Sequence, residues 1–262
     1  MASEIAEFAR LAPLGFAIGA YGTLIGAGGG SLLVPALLLL MPDKGPATIT
    51  SMSLAVVFFN AYSGTIAYVR MRRVDFRAGT LFTLASIPGA IVGVLLVRQL
   101  PRTLFEPVFG VLLLSLGAFL VFSPLGAAPT VAEGLSPRRE SADRIGAIGS
   151  AYIAVLSSLL GIGGGIVHVP FLIRVLRLPP HVATATSHFV LTFMALTATI
   201  THLVMGQFES GLAPTMYLAV GVMMGAPIGA ALSARLHGSL IVRLLALALC
   251  LVGVRLLVAA VW

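Results

Sequence analysis

Charge is the first thing this chain has little of. Asp, Glu, Lys and Arg make up 10% of its 262 residues, against 58% for the apolar types. Soluble domains run at about 25% charged and about 45–50% apolar. A water-soluble globule is therefore excluded, and the mean hydropathy of +1.06 places the chain in lipid. Cysteine is almost absent: only Cys250 is present, in an apolar run, so no disulfide can form within the chain and the redox compartment is left open. The nine acids all lie at the N-terminus, in loops, in a polar linker or at the ends of apolar runs. A sodium site or a carboxylate proton relay places an acid deep in a span, so a cation is not the expected substrate. No nucleotide-binding loop is present, and with it goes self-energised transport by ATP. The opening "MASEIAEFAR" carries Glu4 and Glu7 and is not the basic start of a cleaved signal peptide. The net charge of +7 does not argue for nucleic acid, because the arginines sit between apolar runs, as topology signals do. Nothing calls for a cofactor or a resident metal.

What the chain does have is long apolar segments. A transmembrane helix needs about 20 such residues. Six stretches fit as single spans: 47–69, 78–97, 104–123, 182–205, 212–234 and 239–261. Two more, 11–41 and 145–178, are too long for one simple span, and each has four glycines within five residues near its middle. The stretch 124–144 is polar and rich in proline and serine, a linker between an N-terminal membrane repeat (1–124) and a C-terminal one (145–262).

The halves repeat. Gly26, Gly28, Gly29, Gly30 and Pro35 in "GAGGGSLLVP" recur 135 residues later as Gly161, Gly163, Gly164, Gly165 and Pro170 in "GIGGGIVHVP". Thr48, Thr50 and Ser51 recur at an offset of 136 as Thr184, Thr186 and Ser187, and Gly89, Ala90 and Gly93 recur as Gly225, Ala226 and Gly229. Internal repeats of this kind are typical of secondary transporters, with the substrate site at the repeat interface. The expected fold is thus an all-α integral membrane protein of two homologous halves, each a glycine-broken helix or re-entrant hairpin plus three transmembrane helices. If each glycine segment returns to the side it entered, eleven arginines (70, 72, 73, 77, 138, 139, 144, 174, 177, 235 and 243) share one face. Arg10, Lys44, Arg98, Arg102 and Arg255 share the other. That bias fits the positive-inside rule and favours inverted halves over parallel ones, although Arg98 and Arg102 count against it.

Non-helical backbone at membrane depth survives only where it is buried in protein or lines a wet cavity. Glycine permits a turn at positive φ, and a helix that starts after the turn presents unpaired N–H groups and partial positive charge, which suits an anion. The tight clusters therefore read as functional turns, whereas the Gly89–Gly93 and Gly225–Gly229 pairs read as close helix packing. The hydroxyls of "ATITS" and "ATATS" are open between capping and ligand contact. Among intramembrane polar groups, Asn60 is a candidate and His188 stays open between substrate contact, proton relay and a structural bond. His168 and His202 read as structural, and His181 and His237 as loop residues.

These paired motifs, with "PGAIVG" and "GAPIGA", resemble the sulfite exporter TauE/SafE family, also called the toluene sulfonate uptake permease family, over nearly the whole chain. The resemblance implies a multi-pass inner-membrane permease for sulfite, sulfonates, sulfoacetate or related sulfur-containing anions, with the lipid bilayer as its other partner and room for a homo-oligomer. By that likeness Gly28, Gly29, Ser31, Thr50, Ser51, Gly163, Gly164, Thr186 and Ser187 line the substrate path, and Asn60 and His188 join them as candidate contacts. Ile166 stands where the first repeat has Ser31, and His188 where it has Met52, so the two half-sites are chemically unequal. Two other readings remain: an intramembrane hydrolase using Ser31 with His188 or His202, which a symmetric duplication disfavours, and a passive anion channel.

Overall fold

The computed structural model describes residues 2–122, 140–208, 211–236 and 238–261, and all regular structure among them is helical. The helices are α1 (Ala2–Leu24), α2 (Gly30–Leu40), α3 (Pro46–Arg70), α4 (Phe76–Val97), α5 (Arg102–Phe122), α6 (Glu140–Leu160), α7 (Gly165–Arg174), α8 (Pro180–Val204), α9 (Leu212–Arg235) and α10 (Gly238–Val261). Most of the expected linker lies outside the described residues, as does His237. The linker's last residues, 140–144, already belong to α6.

Six stretches are long and apolar enough to cross a membrane: α3, α4, the Arg102–Phe119 part of α5, the Ala142–Leu160 part of α6, α8 and α9. The expected span 239–261 forms α10. Each overlong glycine segment is a long helix, a break and a short helix. The short ones, α2 and α7, have 11 and 10 residues. At 1.5 Å per residue each is about 15 Å long, half of a hydrocarbon core about 30 Å thick.

The breaks share one backbone. Gly26, Gly28 and Gly29 have φ of 78°, 71° and 79°, and Gly161, Gly163 and Gly164 have 71°, 77° and 85°. An L side chain at these angles costs roughly 1–2 kcal/mol per residue, which is why the motif is spelled in glycine. Neither short helix has a side-chain cap, since its N-cap is the last glycine of the break.

Contact register gives the directions. Along α1 and α9, Ala12, Phe16 and Ala20 face Gly221, Gly225 and Gly229 in step, so these helices run parallel. Helix α3 also runs with α9: Met52 touches Gly211, and the Ser63 hydroxyl donates to the Met223 carbonyl at 2.9 Å. That carbonyl is the one Pro227 leaves without its helical donor. Because α1 and α3 share a direction, the chain between them returns, and α2 is the return. In the second half, α4 and α6 run parallel (Gly89 with Ala151, Gly93 with Val155), and α4 runs with α8 (Phe76 with Phe189, Arg98 with Met205). Hence α7 is likewise a return. Helices α3 and α8 are antiparallel: Ser51 reaches Gln207 beyond the end of α8, and the Asp75 N–H beyond the end of α3 donates to Thr186 at 3.0 Å. On the flank, α5 and α10 are antiparallel, with Gly110 at Leu257 and Gly117 at Cys250.

The glycine stripes explain the tightest of these contacts. A Cβ added at Gly221, Gly225 or Gly229 would strike a carbonyl oxygen of α1, and one at Gly89 or Gly93 a carbonyl oxygen of α6. Small residues let membrane helices approach to backbone contact. Here each half's first helix packs on the fourth helix of the other half, so the halves are clasped together.

Arg102 is spoken for. Its guanidinium pairs with Glu106 and donates to the carbonyls of Leu38, at 2.9 Å, and Pro42. These are orphan carbonyls at the C-terminal end of α2, where a cation is favoured.

Candidate functional site

The two breaks meet back to back. A Cβ on Gly30 would fall 2.6 Å from the Ile162 carbonyl oxygen, and one on Gly165 would run into the Gly26 carbonyl and the Ala27 backbone. The first residue of each short helix thus lies against the other half's break. Each short helix starts against a carbonyl of the other break, in a region where Ile25, Ala27 and Ile162 are fully buried. Thr184 packs against Gly26 and Thr50 against Gly161, so each break is also held by the hydroxyl-bearing stretch of the other half.

Two polar clusters flank this crossing. At the tip of α1, the Thr23 hydroxyl donates to Asn60 Oδ1 at 3.1 Å and lies 3.4 Å from His188 Nε2, while the Tyr68 hydroxyl donates to the Thr23 carbonyl at 2.7 Å. The Tyr68 and His188 rings meet edge to face. Asn60 Nδ2 and His188 Nδ1 have no partner.

The second cluster surrounds the second break. Ser150 Oγ and His168 Nε2 are 3.0 Å apart, and the Ser86 hydroxyl donates to the Phe82 carbonyl at 2.7 Å. With Gly164 and Ser187 they line a cavity of about 10 Å³, about the room of one water. Ser187 Oγ, Ser157 Oγ and Ser158 Oγ are buried without partners. Unmade hydrogen bonds at buried groups cost about 1–3 kcal/mol each, and the one at Ser187, on the cavity wall, is an expense that a bound polar ligand would offset. No Asp, Glu, Lys or Arg is among the buried polar groups of the described residues.

The expected site residues divide accordingly. Gly164 and Ser187 share the cavity. Asn60 and His188 are joined through Thr23. Gly28 and Gly163 both press on Val57, and Gly29 on Ile18. Ser31, the second residue of α2, is 2% exposed. Thr50 and Ser51 bond back to the carbonyls of Ala47 and Thr48, and Thr186 accepts from the Asp75 N–H. These hydroxyls do not cap α3 or α8, whose N-caps are Gly45 and Pro179. His181 is not in a loop: it opens α8, within 3.5 Å of Arg73. Sequence reasoning missed Thr23, Ser86 and Ser150, and read His168 as structural. Only His168, three residues past Gly165 on one helical face, carried a signal.

Residues 11–256 match the sulfite exporter TauE/SafE family. The chain belongs to that family. Among its relatives is a probable membrane transporter protein of Bacillus subtilis (strain 168), YunE, 29% identical over 96% of this chain and 97% of that one. Another, from Xylella fastidiosa (strain Temecula1), is 27% identical over 86% of this chain and 83% of its own length. A third, from Methanocaldococcus jannaschii, is 28% identical over 63% of each chain. No solved structure matches the chain. Family and relatives make this TauE/SafE member a multi-pass membrane protein with a transporter's role.

Proposed function

We propose that the protein is a secondary transporter of small sulfur-containing oxyanions (sulfite, sulfonates or sulfoacetate) that works by alternating access around the crossing of the two glycine breaks. The observation that carries this is the start of each short helix against the other half's break, with no Asp, Glu, Lys or Arg buried among the described residues. N-terminal N–H groups bind anions, and the unpartnered serine hydroxyls add donors to replace a hydration shell. The halves, 1–124 and 145–262, are inverted about the membrane plane, a reading supported by the antiparallel packing of α3 on α8 and of α5 on α10. The arginine-rich face is cytoplasmic, the membrane is the inner (plasma) membrane, and its arginines draw anions to the mouth. Burial of the crossing supports a carrier over an open channel. The serine–histidine pair is Ser150 with His168, while His188 bonds Thr23 and His202 bonds Gln207. That distribution weakens a hydrolase built on Ser31.

Purified protein in liposomes should take up labelled sulfite or methanesulfonate above the protein-free rate. A Gly29→Val or Gly164→Val variant that stays monodisperse should not. If no sulfite, sulfonate or sulfoacetate moves with the wild-type protein, the transport reading falls.

A further inference from the structure

We infer that the protein holds the phosphate of an anionic phospholipid in a lateral cavity between α2, α5 and α10, with Arg255 as the anchoring cation. This site is separate from the glycine breaks and does not depend on the transport reading.

The cavity has a volume of about 250 Å³ and is lined by Leu38, Leu39 and Pro42 at the end of α2, and by Arg102, Glu106 and Arg255. Two of its three charges cancel. Arg102 pairs with Glu106 and gives its remaining donors to the carbonyls of Leu38 and Pro42. Arg255 has no hydrogen bond or ion pair among the described residues. One full positive charge is therefore left on the cavity wall.

The place of Arg255 makes that charge costly. Gly253 packs on Leu114, and Gly110 on Leu257, so Arg255 is rooted level with Leu112. That is about 15 Å along α5 from Arg102. An ionised side chain within a span is costly, and it pairs or lines a functional cavity. Arginine cannot escape by losing its proton. With Glu106 already taken, the counter-charge has to be an anion from outside the chain.

The surroundings say which anion. The last turn of α2 and the first turn of α5 meet at the membrane face, so the mouth of the cavity is at the level of lipid head groups. It opens sideways: Leu39 is 48% exposed, and Arg255 is exposed as well. On the opposite side of α2, Leu33 and Leu37 are fully buried and close the cavity off from the breaks. A phosphate that diffuses within the leaflet reaches this pocket directly. The guanidinium fork matches two phosphate oxygens, the leucines suit the apolar part of the lipid, and basic pockets between transmembrane helices hold anionic head groups. A phosphatidylglycerol head brings one negative charge to the one left bare. A phosphatidylcholine head brings its own cation and leaves Arg255 unbalanced.

The test titrates delipidated full-length protein in detergent with phosphatidylglycerol or phosphatidylcholine and counts bound lipids by native mass spectrometry. Wild-type protein should hold phosphatidylglycerol at least about tenfold more tightly than phosphatidylcholine, the scale of a hydrogen bond to a charged group. Arg255→Gln should bring phosphatidylglycerol down to the level of phosphatidylcholine, and Arg255→Lys should keep most of the preference. Arg98→Gln removes an exposed arginine on the same face and should change binding less than about twofold. Equal binding of the two lipids by wild-type protein overturns the inference. So does a loss in Arg98→Gln as large as in Arg255→Gln, which would make the attraction diffuse. Inorganic phosphate or methanesulfonate that displaces phosphatidylglycerol at equal concentration would make this a site for free oxyanions and overturn the lipid assignment. If Arg255→Gln does not purify folded, the wild-type preference, the Lys variant and the competition decide.

Discussion

The two glycine breaks have the same backbone and different surroundings. Each has three glycines at positive φ, each starts a short return helix, and each presses its first helical glycine on the other. Around the first, Thr23 ties together Asn60, His188 and Tyr68, while Asn60 Nδ2, His188 Nδ1 and Thr184 Oγ1 stay without partners. Around the second, Ser157, Ser158 and Ser187 have no partner and a small cavity opens beside Ser187. Residues at equivalent positions show why. Leu33 stands where the second half has His168, Gly15 where it has Ser150, and Val222 where the first half has Ser86. The repeat keeps the backbone symmetric, and the side chains make the surroundings of the two breaks unequal. The backbone is what the repeat preserves, and the side chains are what it lets diverge.

The all-or-none test of the comparison concerns orientation. In a Cys250→Ala background, Arg72→Cys and Gly206→Cys should react with an impermeant maleimide from opposite faces of the membrane. The first residue follows α3 and the second follows α8, the equivalent helix of the other half. Labelling of both from one face would make the halves parallel and end the inverted reading.

Next in size are the reciprocal glycines. Gly30→Ala and Gly165→Ala put a methyl group into the other break's backbone, which cannot move aside as a flexible side chain would. Overpacking costs about 1–3 kcal/mol, and each variant should lose its monodisperse size-exclusion peak or drop sharply in thermal stability. Gly45→Ala is the control: nothing lies within 4 Å of its Cβ, and it should change stability by less than about 0.5 kcal/mol. Equal tolerance at all three positions would mean that the breaks do not bear on each other.

The third test separates the flanking clusters. Thr23→Val should destabilise by about 1–3 kcal/mol, because it strands Asn60 and His188. Ser187→Ala removes a hydroxyl that has no partner, so stability should hold or rise while transport falls by on the order of tenfold, as expected for a lost ligand donor. The reverse pattern, with Thr23→Val silent in stability and Ser187→Ala destabilised but fully active, would exchange the roles of the two sides.

The breaks, the repeat and most of the spans were readable in the sequence, because glycine clusters inside apolar runs have few explanations and near-constant offsets do not arise by accident. Which helix clasps which was not. A membrane helix is apolar on its lipid face as well as its buried one, so Gly225 and Gly229 announce close packing but not that the partner is α1 of the other half. Ser86 and Ser150 were invisible for a related reason. Ser86 bonds back to Phe82 on its own helix just as Thr197 does to Phe193, and nothing in the sequence says which of the two also lines a cavity. The hydroxyls of "ATITS" were open between capping and ligand contact, and the structure shows Thr50 and Ser51 bonded to carbonyls three residues back, with Ser51 also reaching Gln207.

The smallest expected effect compares the far ends of the two return helices. Helix α7 carries its own cation, Arg174, in its last turn, while α2 has none and borrows Arg102 from α5. A cation at a helix C-terminus contributes about 0.3–1 kcal/mol. Arg102→Met should therefore cost about 1 kcal/mol or slightly more, since Glu106, with a side chain only 18% exposed, is left without its counter-charge. Arg102→Met with Glu106→Leu should recover part of that loss, because the stranded carboxylate goes with the arginine. Thermal unfolding of the single and double variants in detergent measures both terms. If the double variant is no better than the single one, the carboxylate was never stranded. The whole contribution of Arg102 would then lie in its bonds to the carbonyls of Leu38 and Pro42, which would make it a helix cap borrowed from a neighbour. In either case Arg102 is bound up in holding α2 to α5, which is how an arginine comes to lie on the arginine-poor face without arguing against the inverted arrangement.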